Sequence, residues 1–140
     1  MTPLEFVQKL AEELDALALP DPVHAQMGDV VVDCQGTTIS VLNVTEQEVP
    51  FGGNCDVIQF ADIVVIAARE CSDVSNDDGT TDWDAQDAVS AAMDADGQIL
   101  LDWADDKMSD AFFRLGRPAL TFTIQGGIAF VTLTMNLPVP

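Results

Sequence analysis

Apolar residues recur at Leu4, Val7, Leu10, Leu14 and Leu17, three or four positions apart. That spacing predicts an amphipathic helix at the start of the chain. Thr2 and Glu5 make a Thr-x-x-Glu capping box in front of the stripe, with Pro3 at the first helical position. Pro20-Asp21-Pro22 then forbids continuation. Beyond it the period changes to that of strands. Residues 29–34 are a β-branched run, Gln35-Gly36 supplies a turn, and residues 37–45 read as a second strand, together a hairpin. Residues 46–54, with Pro50, Gly52 and Gly53, read as a loop. Residues 55–71 read as one long extended segment. Ile63, Val64, Val65 and Ile66 make its middle apolar on both faces, as in a central strand. Its length exceeds that of an ordinary strand and predicts a bend or bulge near Asp62.

The second half repeats the alternation of helix and strand. Residues 72–81 form an acidic loop, and Thr81 or Asp82 caps a long helix. Ala85, Ala88, Val89, Ala92, Met93, Leu100 and Trp103 suit one face of it, and Asp84, Asp87, Asp94 and Asp102 the other. Gly97 is expected to kink, weaken or divide this helix. The chain closes on a hairpin. Leu120, Phe122 and Ile124 alternate with Thr121 and Thr123, Gln125-Gly126-Gly127 turns, and Val131, Leu133, Met135 and Leu137 alternate on the return. Pro138 and Pro140 limit further pairing and leave an extended tail. The predicted order is helix, hairpin, long strand, helix, hairpin, in one α+β domain.

Charge narrows the range of functions. The 140 residues hold 24 acidic and 5 basic side chains, a net charge of −19, and 48% of them are hydrophobic. Nucleic-acid binding draws its affinity from cations that displace counterions from phosphates. A chain this acidic repels DNA and anionic membranes. Its apolar excess calls for a core or a partner surface. Cys34, Cys55 and Cys71 are odd in number and lack Cys-x-x-Cys spacing, and no apolar leader opens the chain. Reduced, buried thiols in a cytosolic setting are expected. The longest apolar stretch, residues 63–68, is too short to span a bilayer.

The inventory for chemistry is thin. His24 is the single histidine and there is no tyrosine, so no nucleophile has an obvious general base. A calcium loop with Gly79 as its required glycine would place Val74 at the first ligand position and Ala85 at the twelfth, and neither can coordinate. Gly52-Gly53 and Gly126-Gly127 lack the lysine and hydroxyl of a phosphate loop. The reading is of a protein with no catalytic residues, no metal site and no cofactor. What remains are interface candidates: Pro50 and Phe51 in a loop, the Arg114/Arg117 pair before the last hairpin, and the terminal Leu137, Pro138, Val139 and Pro140. Loop aromatics often anchor interfaces, and extended apolar ends can add strands across subunits.

Four stretches carry a resemblance to a family. They are Val30-Val31-Val32-Asp33-Cys34; Gly53-Asn54-Cys55-Asp56-Val57 running into a long strand that ends Arg69-Glu70-Cys71; an Ala-rich helix with Leu100, Leu101 and Trp103; and the closing hairpin from Gly126-Gly127-Ile128-Ala129 to Leu133. In that order they resemble the small neck proteins of long, non-contractile-tailed phages of actinobacteria, in particular the tail terminators. Relatives more often read Arg-Cys followed by proline, where this chain has Glu70 before Cys71 and Ser72 after it. The resemblance implies a mixed, mostly antiparallel sheet flanked by an N-terminal helix and one long helix. It implies a homo-oligomeric ring, usually a hexamer, that caps the tail tube, with the major tail tube protein on one side and the head-side connector or stopper on the other. DNA passes through the lumen of such a ring without specific binding, and the subunit ends in the virion after assembly in the host cytoplasm. Two other readings stay open. One is another neck ring or a tail-tube subunit. The other, from a different class, is an acidic DNA mimic or an inhibitor module that binds a basic protein.

Overall fold

The computed structural model describes residues 1–30, 33–51, 54–71, 74–110 and 117–140, with the backbone alone at 50, 51, 54, 55 and 110. Helix α1 (Pro3–Asp15) begins on the expected capping box. The Glu5 amide donates to Thr2 Oγ1 and the Thr2 amide to the Glu5 carboxylate, each at 3.1 Å. Phe6, Val7, Leu10 and Leu14 are its buried stripe, while Leu4 stays largely exposed. Burial of side chains of this size contributes roughly 1.5–3 kcal/mol each.

The first expected hairpin does not form. Strand β1 (Val23–Met27) pairs in parallel with β2 (Gly36–Phe51), Val23 beside Thr37 and Met27 beside Val41. Asp29, Val30, Asp33 and Cys34 belong to no strand, and Val31 and Val32 lie outside the described residues. Parallel neighbours cannot be joined by a tight turn, so the β-branched run falls in the crossover that returns the chain. Two bonds fix its start: Ser40 Oγ donates to the Gly28 carbonyl and Gln26 Nε2 to that of Asp29.

The expected loop at residues 46–54 is also mostly strand. β2 continues to Phe51, and β3 (Asn54–Glu70) pairs with it antiparallel from Asn54 to Ala68. Pro50 is tolerated there because β2 has only one neighbour at that end, so a missing amide costs least. The irregularity expected near Asp62 lies at that level of the sheet, but in the partner strand. Leu42 is left out of register between Val41 and Asn43, opposite Ile63 and Asp62.

Helix α2 (Trp83–Asp110) is capped by Asp82, whose Oδ1 accepts from the Ala85 amide at 3.2 Å. It runs unbroken through Gly97, contrary to the expected kink. A Cβ at that position would lie 2.9 Å from the Phe122 ring, so the glycine lets α2 close onto β4 (Ala119–Gln125). Val89, Met93, Leu100 and Trp103 are buried as expected, joined by Ala104 and Met108, but Ala88 is exposed. β4 returns into β5 (Ile128–Pro138) through Gly126 and Gly127, both at positive φ, which a two-residue hairpin turn of this kind requires.

The five strands form a mixed, mostly antiparallel sheet in the order β1-β2-β3-β5-β4. The registers put Ile39, Val41, Ala61, Ile63, Val65, Ala67, Val131, Leu133, Met135 and Leu137 on one face. Those residues join α1 and α2 in a single core. Both helices therefore cover the same face, α1 over β1 and β2 and α2 over β5 and β4. Among the described residues no helix packs on the opposite face.

Candidate assembly surface

His24 lies exposed on edge strand β1. Among the described residues no three His, Cys, Asp or Glu side chains stand close enough to hold a metal. Cys34 is exposed and Cys71 half-buried, both free, so the expectation of buried thiols fails at Cys34; the Cys55 side chain lies outside the described residues. Cys34 escapes burial because its segment is crossover and not strand. The acidic loop is tied to itself. The Thr80 hydroxyl and amide donate to Asp78 and hold its carboxyl below the usual carboxylate range. No helix among the described residues is long and apolar enough to cross a membrane.

Two of the five cations are committed to structure. Arg69, on β3, makes a bidentate pair with Asp96 of α2 at 2.6 and 2.9 Å. The Asp96 side chain is 4% exposed and that of Arg69 37%. The hydrogen bonds to Asp96 raise the Arg69 pKa, the nearby carboxylate charge adds to this, and burial opposes it. Lys107 reaches Glu13 at 2.6 Å and ties α2 to α1. Lys9 and Arg117 are exposed. Much of the accessible surface is therefore acidic: the aspartates of α2 from Asp84 to Asp106, apart from Asp96, are exposed, as are Glu46, Glu48 and Asp56 of the longest hairpin.

That hairpin is the feature the sequence did not announce. β1 stops pairing at Val41 and β5 at Phe60. Beyond them the two strands run on as a ribbon, residues 46–51 against 54–59, with no further strand beside it among the described residues. At about 3.3 Å per residue the ribbon extends roughly 20 Å. Its two faces differ. Val49 and Phe60 are buried on one, whereas the other carries Glu46, Glu48 and Val57, with Glu48 directly across from Val57. Val57 is 60% exposed; Leu42 in the bulge and Met27 beside it are 48% and 49% exposed. Among the described residues Val57 is thus the ribbon's one large, well-exposed apolar side chain, with Leu42 and Met27 near its base; Trp83 and Phe122 are exposed elsewhere.

The interface candidates read from the sequence are placed as follows. Pro50 and Phe51 fall at the ribbon's far end, and their side chains lie outside the described residues, as does all of Arg114. Arg117 is exposed at the entrance to β4, without an ion-pair partner among the described residues. Leu137 is 3% exposed and belongs to the chain's own core, paired with Ala61. Pro138 and Val139 are half-buried and Pro140 exposed. The tail is not loose, since the Val139 amide donates to the Gln59 carbonyl at 2.8 Å and continues β5 along the ribbon's base. No protein-family model and no curated protein matches the chain.

Proposed function

We propose that this chain is a structural subunit that closes into a ring, and that the ring is a tail terminator at the neck of a long-tailed phage, without enzymatic activity. One observation carries the reading: the ribbon formed by β2 and β3 runs past the rest of the sheet with edges unpaired among the described residues and with Val57 exposed on one face. Open edges invite strand addition from another chain. A head-to-tail ring needs one protruding element and one receiving surface per subunit. The helix-free face supplies the second, since helices cover only the other. The acidic exterior supports a lumen through which DNA passes unheld, because it offers phosphates no ligand. Proposed neighbours are other copies of the chain, the major tail tube protein and the head-side connector.

The test is to add purified protein to growing tail tubes and image them in negative stain. Rings seated at one tube end, with growth arrested there, support the terminator. Self-assembly into long tubes supports a tube subunit, and rings that ignore tube ends support another neck ring. A second reading draws on the net charge of −19 and the pairing of Arg69 and Lys107 within the chain. An acidic module that captures a basic protein would look similar in charge. It would stay monomeric, bind that protein tightly and leave tube growth unchanged.

A further inference from the structure

The register of the sheet builds a cleft at the base of the ribbon. Arg117 stands two residues before Ala119, which pairs with Thr134; continuing that register sets Arg117 beside Asn136, which pairs with Asp62, which pairs with Asn43. The row crosses the helix-free face. Asn136 Nδ2 donates to Asp62 Oδ1 at 2.7 Å, while Asn136 Oδ1 is buried without a partner. Arg117, Asn136, Thr134 and Asp62, with Leu42 and Met135, line a cleft of about 350 Å³. The cleft thus combines an exposed cation, Arg117, with the Asp62 carboxylate bound by Asn136, an unused acceptor and an exposed apolar side chain.

We infer that this cleft receives the ribbon of a second copy of the same chain, with Val57 against Leu42 and Glu46 or Glu48 against Arg117. The occupant is set by complementarity. The ribbon's exposed face sets Val57 of β3 directly across from Glu48, with Glu46 two residues along β2, and the cleft has an apolar wall, Leu42, beside a guanidinium. Arginine suits such a contact because its planar fork meets carboxylates bidentately. The two surfaces are different patches of one chain, which is what a heterologous, head-to-tail contact requires. Oppositely charged patches also offset part of the repulsion among subunits that each carry −19. The inference rests on the ring reading above and names the contact that would build the ring.

Charge reversal tests it, because Arg117, Glu46 and Glu48 are exposed and their replacement leaves the core untouched. The oligomer mass is read by light scattering over a concentration series, with circular dichroism as the control for folding. Arg117→Glu alone, and Glu46→Lys with Glu48→Lys, are each expected to weaken self-association at least about a hundredfold. All three substitutions together are expected to restore it to within about tenfold of the natural chain. If the natural chain assembles and Arg117→Glu assembles equally well, or the triple variant stays dissociated, this contact is overturned and the ring reading survives. If the natural chain stays monomeric both alone and on tail tubes, the contact and the ring reading fall together.

Discussion

Asp96 is the one buried carboxylate the fold cannot leave alone. It sits on α2 at 3% exposure, and Arg69 reaches it from β3 with two parallel hydrogen bonds. The two ends of this pair are not equivalent. Removing the arginine strands a charge that water cannot reach, whereas removing the aspartate leaves a guanidinium already a third exposed. Arg69→Met is therefore expected to cost on the order of 3 kcal/mol and Asp96→Asn about 1 kcal/mol, read as the shift in urea unfolding midpoint. Equal costs, or the reverse order, would show that the pair is not the buried anchor described. Asp96 was not legible beforehand. Among so many aspartates on one helix, nothing in the sequence distinguishes the one whose neighbour is an arginine on a distant strand. The capping box of Thr2 and Glu5 was legible because its geometry is local.

At the level of elements, the long alternating or apolar segments were read well and the short ones poorly. β3, β4, β5 and both helices follow from periodicity, since each buries a stripe its own spacing creates. β1, Val-His-Ala-Gln-Met, carries little strand propensity and is held by its parallel neighbour. The more β-branched residues 29–34 supplied a stronger local signal but fall in the crossover. Residues 46–51 looked like a loop because glutamates and a proline are loop residues on average. In a two-stranded ribbon open on both outer edges they are strand residues with solvent beside them. The assembly surface was half visible in consequence. Arg117 and the ribbon's tip were picked out, whereas Val57, Leu42 and Glu48 emerge only once the register is known. Replacing residues 46–59 by an Asn-Gly turn that joins Thr45 to Phe60 tests the element's role. The main core cluster lies outside that excision and Val49 is the one buried apolar residue it removes among those described, so cooperative unfolding should persist, within about 2 kcal/mol of the natural chain, and assembly should be lost. An excised variant that assembles normally would remove the ribbon from the account.

The whole molecule is asymmetric in two respects. Its helices cover one face of the sheet, and no helix among the described residues covers the other, while its acids crowd the surface and two of its few cations are paired internally. On the proposed reading the ribbon finds its partner on another copy, and a charge of −19 opposes random association. Together they favour association through one defined contact repeated about an axis. The net charge, the shortage of chemistry-bearing residues and the closing hairpin were plain in the sequence. Which face stayed free was not, because it depends on where two helices pack. The central claim is closure, and native mass spectrometry of the purified protein tests it most directly. The account predicts one discrete multiple of the 15.0 kDa chain, six copies by resemblance to tail terminators, with intermediate sizes scarce. A ladder of open-ended sizes, or a monomer that persists both at high concentration and in the presence of tail tubes, would contradict it.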